Sequence, residues 1–228
     1  MNNNKAVIIN VSFFLAAVLL LIVLTFYNSF YRLVTLQQEY SAWVSIHAVS
    51  LAVWVLLLLI QPLLIFYGKN KWHRQLGFLS IGIVAVIIIT TVFVSVDLSG
   101  TISNAMPTGK KNSILFSQLY GMALFAVLYT MALINARQFV AHIQYIMAST
   151  IVILGPVIFR ATNNFQLSFF GTAAFTANIL TYLFLNLFLI SLCVVNARKA
   201  QTFLPYLLTI AALVPIEAGQ IWFARPGF

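Results

Sequence analysis

Seven times along the chain, at about 6–29, 41–67, 75–96, 113–135, 140–160, 170–195 and 202–223, the residues run apolar for roughly 20 positions or more. A helix rises about 1.5 Å per residue, so each run is long enough to cross a hydrocarbon layer about 30 Å thick. Such runs must be helical, because a helix satisfies its own backbone hydrogen bonds where no water can. The expected fold is therefore all-α, a polytopic membrane bundle of about seven transmembrane helices. With 7% charged residues against the ~25% of an ordinary soluble domain, a water-soluble fold is excluded. No internal repeat, low-complexity tract or linker interrupts the pattern, which predicts a single integral membrane domain over residues 1–228.

Lys5 precedes the first apolar run, Ala6 to Tyr27, but that run exceeds a signal-peptide core and no small-x-small cleavage site follows it. It is expected to remain as the first membrane helix. Short connections carry interface and turn residues: Tyr31, Tyr40 and Trp43 around the first, Gly68, Lys69, Asn70, Lys71 and Trp72 in the second. Only 97–112, with Gly100, Asn104, Pro107 and Gly109, has the composition of a long exposed loop.

The net charge of +9 comes from twelve Lys and Arg scattered singly or in pairs through the connections. No basic face or arm is present to track a phosphate backbone, so nucleic acid is not an expected partner. The lipid bilayer is, with the cations holding anionic lipid. Seven crossings put the termini on opposite sides. Lys5, Lys69, Lys71, Arg74, Arg137, Arg198 and Lys199 share the N-terminal side, against Arg32, Lys110, Lys111, Arg160 and Arg225 on the other. The positive-inside rule then favours a cytoplasmic N-terminus and an external C-terminus in a bacterial inner membrane. Glu39, Asp97, Glu217 and His47 fall toward the outer face, His73 and His142 at the cytoplasmic ends of the third and fifth helices. Cys193, the single cysteine, excludes an intrachain disulfide.

Ionisable groups within a membrane are costly and mark functional candidates. His142 and Arg160 stand 18 residues apart, five full turns at about 100° per residue and about 27 Å along one helix face. Ser149 and Pro156 lie near the same line, so a polar stripe is expected to face the bundle interior. A second stripe joins His47, Ser50, Trp54 and Gln61, with Pro62 predicting a kink. On the last helix Glu217 accompanies Pro205, Thr209, Pro215 and Gln220, at a level that predicts an ion pair with Arg160 and His47 nearby. Gly77, Ser80 and Gly82 on the third helix predict close approach of a neighbouring backbone. The Phe-rich stretches around Phe169, Phe170, Phe175, Phe184 and Phe188 read as packing or lipid-facing side chains. HxxxH, CxxC and HExxH zinc patterns are absent, as is a Gly-rich phosphate loop. The split histidines do not suit a three-histidine membrane hydrolase, and no mid-helix lysine suits retinal.

The string HAVSLAVWVLLLLIQPLLI from His47, then KWHRQLG ending at Gly77, and HIQYIMASTIVILGPVIFR from His142 to Arg160 together resemble a group of uncharacterised bacterial integral membrane proteins. These carry a His/Trp/Gln helix, an HR-x-LG turn and a histidine-led helix closed by arginine. The resemblance matches His47, Trp54, Gln61, His73, Arg74, Gly77, His142, Met147 and Arg160, covers about 50 residues and implies membership without an activity. Ile143, Gln144 and Tyr145 depart from the group's pattern. A weaker likeness is to two-haem transmembrane b-type cytochromes, in which alternate helices supply paired histidines. It implies haem b held by His73 and His142, with no such partner for His47 on the fourth helix. Three classes of function remain open on this basis: a haem-linked redox protein using His73 and His142; a proton-coupled or small-molecule transporter using His47, Arg160 and Glu217; and an accessory or assembly subunit with partner subunits in a membrane complex.

Overall fold

A computed structural model of the chain describes residues 3–35, 41–102, 108–170, 175–199 and 201–223. It is all-helical, with seven helices: α1 (Asn3–Thr35), α2 (Ala42–Phe66), α3 (Asn70–Ile102), α4 (Thr108–Ile134), α5 (Phe139–Phe170), α6 (Phe175–Arg198) and α7 (Leu204–Phe223). Each contains a segment long and apolar enough to span a membrane. Large apolar side chains such as Phe13, Val49, Phe78 and Ile134 lie exposed, as a lipid-facing surface requires.

The helices outrun their apolar segments. The third was expected at 75–96 and extends from Asn70 to Ile102; the fourth was expected from 113 and begins at Thr108. The loop expected over 97–112 is thus mostly helix. Hydropathy detects only the part of a helix that lipid surrounds, whereas the i to i−4 ladder continues through polar residues beyond it. Glu39, Tyr40, Asn104, Pro107 and Arg225 lie outside the described residues, as do the side chains of Tyr31, Arg32, Lys110, Phe169, Phe170 and Phe175.

The chain packs as two compact units, Met1–Asp97 and Leu98–Phe228. In the first, α1 packs on α2, with Lys5 Nζ 5.9 Å from the centre of the Phe66 ring. Gly68 ends α2 with φ of 69°. Its N–H donates to the Ile65 carbonyl and that of Lys69 to Leu64, the paired bonds of a Schellman cap that favours glycine at this position. Trp43 stacks on Phe93 of α3 at 4.1 Å.

In the second unit α5 packs against α4, α6 and α7, and α7 also packs on α4 and α6. Of its membrane segment 61% is buried, against 17–28% for the other three, which makes α5 the core helix. Ala148, Ser149 and Ile151 of α5 are wholly enclosed, as are Phe125 and Ala132 of α4 and Leu189 of α6.

Candidate functional site

The second unit holds a polar cluster built by α4, α6 and α7. Asn186 of α6 donates its side-chain amide to Glu217 Oε1 of α7 at 2.5 Å. One turn along α7, Gln220 Nε2 donates to Ser117 Oγ of α4 at 3.0 Å and to the Tyr182 hydroxyl of α6 at 3.1 Å. Ser117 and the Tyr182 hydroxyl thus share the one Gln220 amide. All three helices bring these residues to the end of the unit where α4 and α6 begin: Ser117 lies nine residues after Thr108 and Asn186 eleven after Phe175, and Glu217 lies in the second half of α7. Between Glu217 and Gln220 the helices meet closely elsewhere too, since a Cβ on Gly219 would stand 2.5 Å from Phe116 Cε1 of α4.

Among the described residues the hydrogen-bond donor to Glu217 is therefore a neutral amide, where the sequence predicted Arg160. Arg160 lies exposed on α5. The expected inward stripe on that helix is also divided: Ser149 is buried and His142 half-buried, but Pro156 and Arg160 are exposed. Leu154, Val157 and Ile158 beside them are buried, so toward this end of α5 the covered face lies to one side of the predicted line. Ser149 turns its hydroxyl to the Ile146 carbonyl of its own helix.

A second polar node lies toward the opposite end of the unit. Gln144 of α5, 2% exposed, donates Nε2 to Asn196 Oδ1 of α6 at 3.0 Å and to the Thr202 carbonyl leading into α7 at 2.5 Å. It ties three consecutive elements together. His142 Nδ1 lies 2.8 Å from the Ala132 carbonyl of α4; a carbonyl only accepts, so Nδ1 carries a hydrogen and donates it.

In the first unit the stripe on α2 faces inward as expected, with Trp54 buried and His47, Ser50 and Gln61 half-buried while Val49, Val53, Leu56 and Ile60 are exposed. His47 Nδ1 meets Thr90 Oγ1 of α3 at 3.0 Å. Thr90 directs its own hydrogen at the Val86 carbonyl, 2.7 Å away, so His47 is the donor. Gln61 Oε1 is buried with no hydrogen-bond partner among the described residues. His73 is half-buried and Arg74 exposed in the opening turns of α3. Around Gly77 and Gly82 a Cβ would meet nothing within 4 Å. The close approach expected there occurs at Gly219 instead.

Among the described residues no group of three His, Cys, Asp or Glu side chains gathers to hold a metal ion. Fold and site define the class as a seven-span, all-helical membrane protein. No protein-family model, curated protein or solved structure matches the chain.

Proposed function

We propose that this protein is a transporter of the bacterial inner membrane, N-terminus in the cytoplasm, in which Glu217 takes up a proton or small cation to drive movement of a small solute. One observation carries the reading: the Glu217 carboxyl lies within a membrane segment and its donor among the described residues is the neutral Asn186 amide. A carboxylate so placed has two routes to neutrality, a proton or a bound cation. Its helix, α7, also packs on α4, α5 and α6, so neutralisation reaches every helix of the unit. Purified protein in liposomes loaded with a pH-sensitive dye should dissipate an imposed gradient faster than empty liposomes, and Glu217→Gln should remove the difference. Flux indifferent to Glu217→Gln, or no flux above the empty vesicles, would overturn the reading.

A haem-linked redox role is the second reading, favoured by one observation: His142 donates Nδ1–H to a backbone carbonyl, the arrangement that orients imidazoles ligating through Nε2. Haem b ligated by His142 would give a Soret band with reduced α and β bands, lost in His142→Ala. A preparation that stays colourless when haem is supplied during expression excludes it.

A further inference from the structure

Hydrogen donors and acceptors do not balance in the α4–α6–α7 cluster. Gln220 Nε2 serves Ser117 and Tyr182. Ser117 directs its own hydroxyl hydrogen to the Ser113 carbonyl, and Asn186 Nδ2 serves Glu217. The buried atoms left with no hydrogen-bond partner among the described residues are both acceptors, Asn186 Oδ1 and Gln220 Oε1, and Glu217 has further lone pairs. Reversing the Asn186 amide would set its oxygen against the carboxylate, so charge fixes that orientation.

Each buried acceptor left unmet costs about 1–3 kcal/mol, which asks what ligand would meet them together. A proton on Glu217 adds one donor and satisfies one oxygen at most. A monovalent metal ion accepts several hard oxygens at once and cancels the single carboxylate charge, whereas a divalent ion would leave an excess positive charge within the membrane segment.

Resting on the reading of Glu217 given above, we infer that Glu217, Asn186 and Gln220 form a binding site for one monovalent metal cation of the sodium type. The ion meets the Glu217 carboxylate, Asn186 Oδ1 and Gln220 Oε1. The cluster differs from a transition-metal centre in relying on one carboxylate and neutral amide oxygens, without imidazole or thiolate.

The test uses the full chain in detergent. Melting is followed by tryptophan fluorescence in sodium, potassium or choline chloride at one ionic strength, alongside equilibrium binding of radioactive sodium. Saturable binding of one ion per chain is expected, with a rise in Tm of roughly 5–10 °C at a hundredfold excess over Kd. Asn186→Ser and Gln220→Leu should each weaken binding about tenfold or more, which corresponds to about 1.4 kcal/mol, and Glu217→Gln should abolish it. Equal melting in sodium, potassium and choline with no bound sodium overturns the inference, and needs no variant to fold. Proton flux lost in Glu217→Gln while the wild type ignores sodium overturns the cation site and leaves the transport reading standing. Sodium binding in a protein that moves nothing does the reverse.

Discussion

Gly219→Ala probes the contact that holds the polar cluster together. The new Cβ would stand 2.5 Å from Phe116 Cε1 and 2.8 Å from Cδ1, well inside the ~3.5–4.0 Å of ordinary carbon contact. Either α4 and α7 separate by about an ångström, or the Phe116 ring leaves its place near Tyr120 and Phe223, whose ring centres lie 5.7 and 6.2 Å away. Overpacking of this kind costs about 1–3 kcal/mol. At roughly 2–4 °C per kcal/mol for a chain of this size, Tm should fall by about 2–12 °C. Separation would also stretch the 3.0 Å bond from Gln220 to Ser117, each the chain neighbour of a clashing residue. The assay is melting in detergent for Gly219→Ala, Phe116→Leu and the double variant. Leucine lacks Cε1, the ring atom nearest the new methyl, and its Cδ carbons can rotate away, so the double variant should regain part of the loss, with a coupling of about 1 kcal/mol or more. Wild-type melting in Gly219→Ala, or strictly additive effects, would refute the close-contact argument.

Gln144→Leu removes the donor that serves Asn196 and Thr202, and should cost about 1–3 kcal/mol, or nearer ~0.6 per bond if membrane-protein averages hold, seen as lower Tm; an unchanged Tm would deny the node a structural role. Glu217→Gln should couple energetically to Asn186→Leu and combine additively with Arg160→Met, measured as double-mutant cycles; coupling to Arg160 instead would restore the ion pair expected from the sequence. Single cysteines placed at position 104 in a Cys193→Ser background should react with an impermeant thiol reagent from outside the cell, and labelling only from the cytoplasm would invert the proposed orientation.

The spans were legible because lipid imposes them residue by residue: any run like Ile83–Ile89 reads as hydrocarbon-facing whatever it touches. The turn at Gly68 was legible for a similar local reason, since one glycine at the end of an apolar run supplies the left-handed conformation a cap favours. Helix ends at Asn70, Ile102 and Thr108 were not, because polar residues continue a helix without any hydropathy signal. Glu217 stood out as the lone acid within a predicted helix interior, yet its partner did not. Asn186, amid TYLFLNLFLI, carries a signal that was available, an amide isolated in an apolar run, but its pairing depends on rotations of α6 and α7 that spacing within one helix cannot encode. The same limit misdirected the glycine argument. Gly77 and Gly82 look like packing notches in sequence, while Gly219, flanked by Ala218 and Gln220, is the one that meets a ring.

The depth of the cluster has an electrical consequence. A cation that reaches Glu217 within the membrane segment crosses part of the membrane field, and a whole crossing changes its energy by about 2.3 kcal/mol per 100 mV. Loading Glu217 would therefore carry the share of that energy set by its depth, and its occupancy would change with voltage. The Asn186, Glu217 and Gln220 site would then act as a well whose filling follows the membrane potential, the rest of the field being crossed on release to the other side.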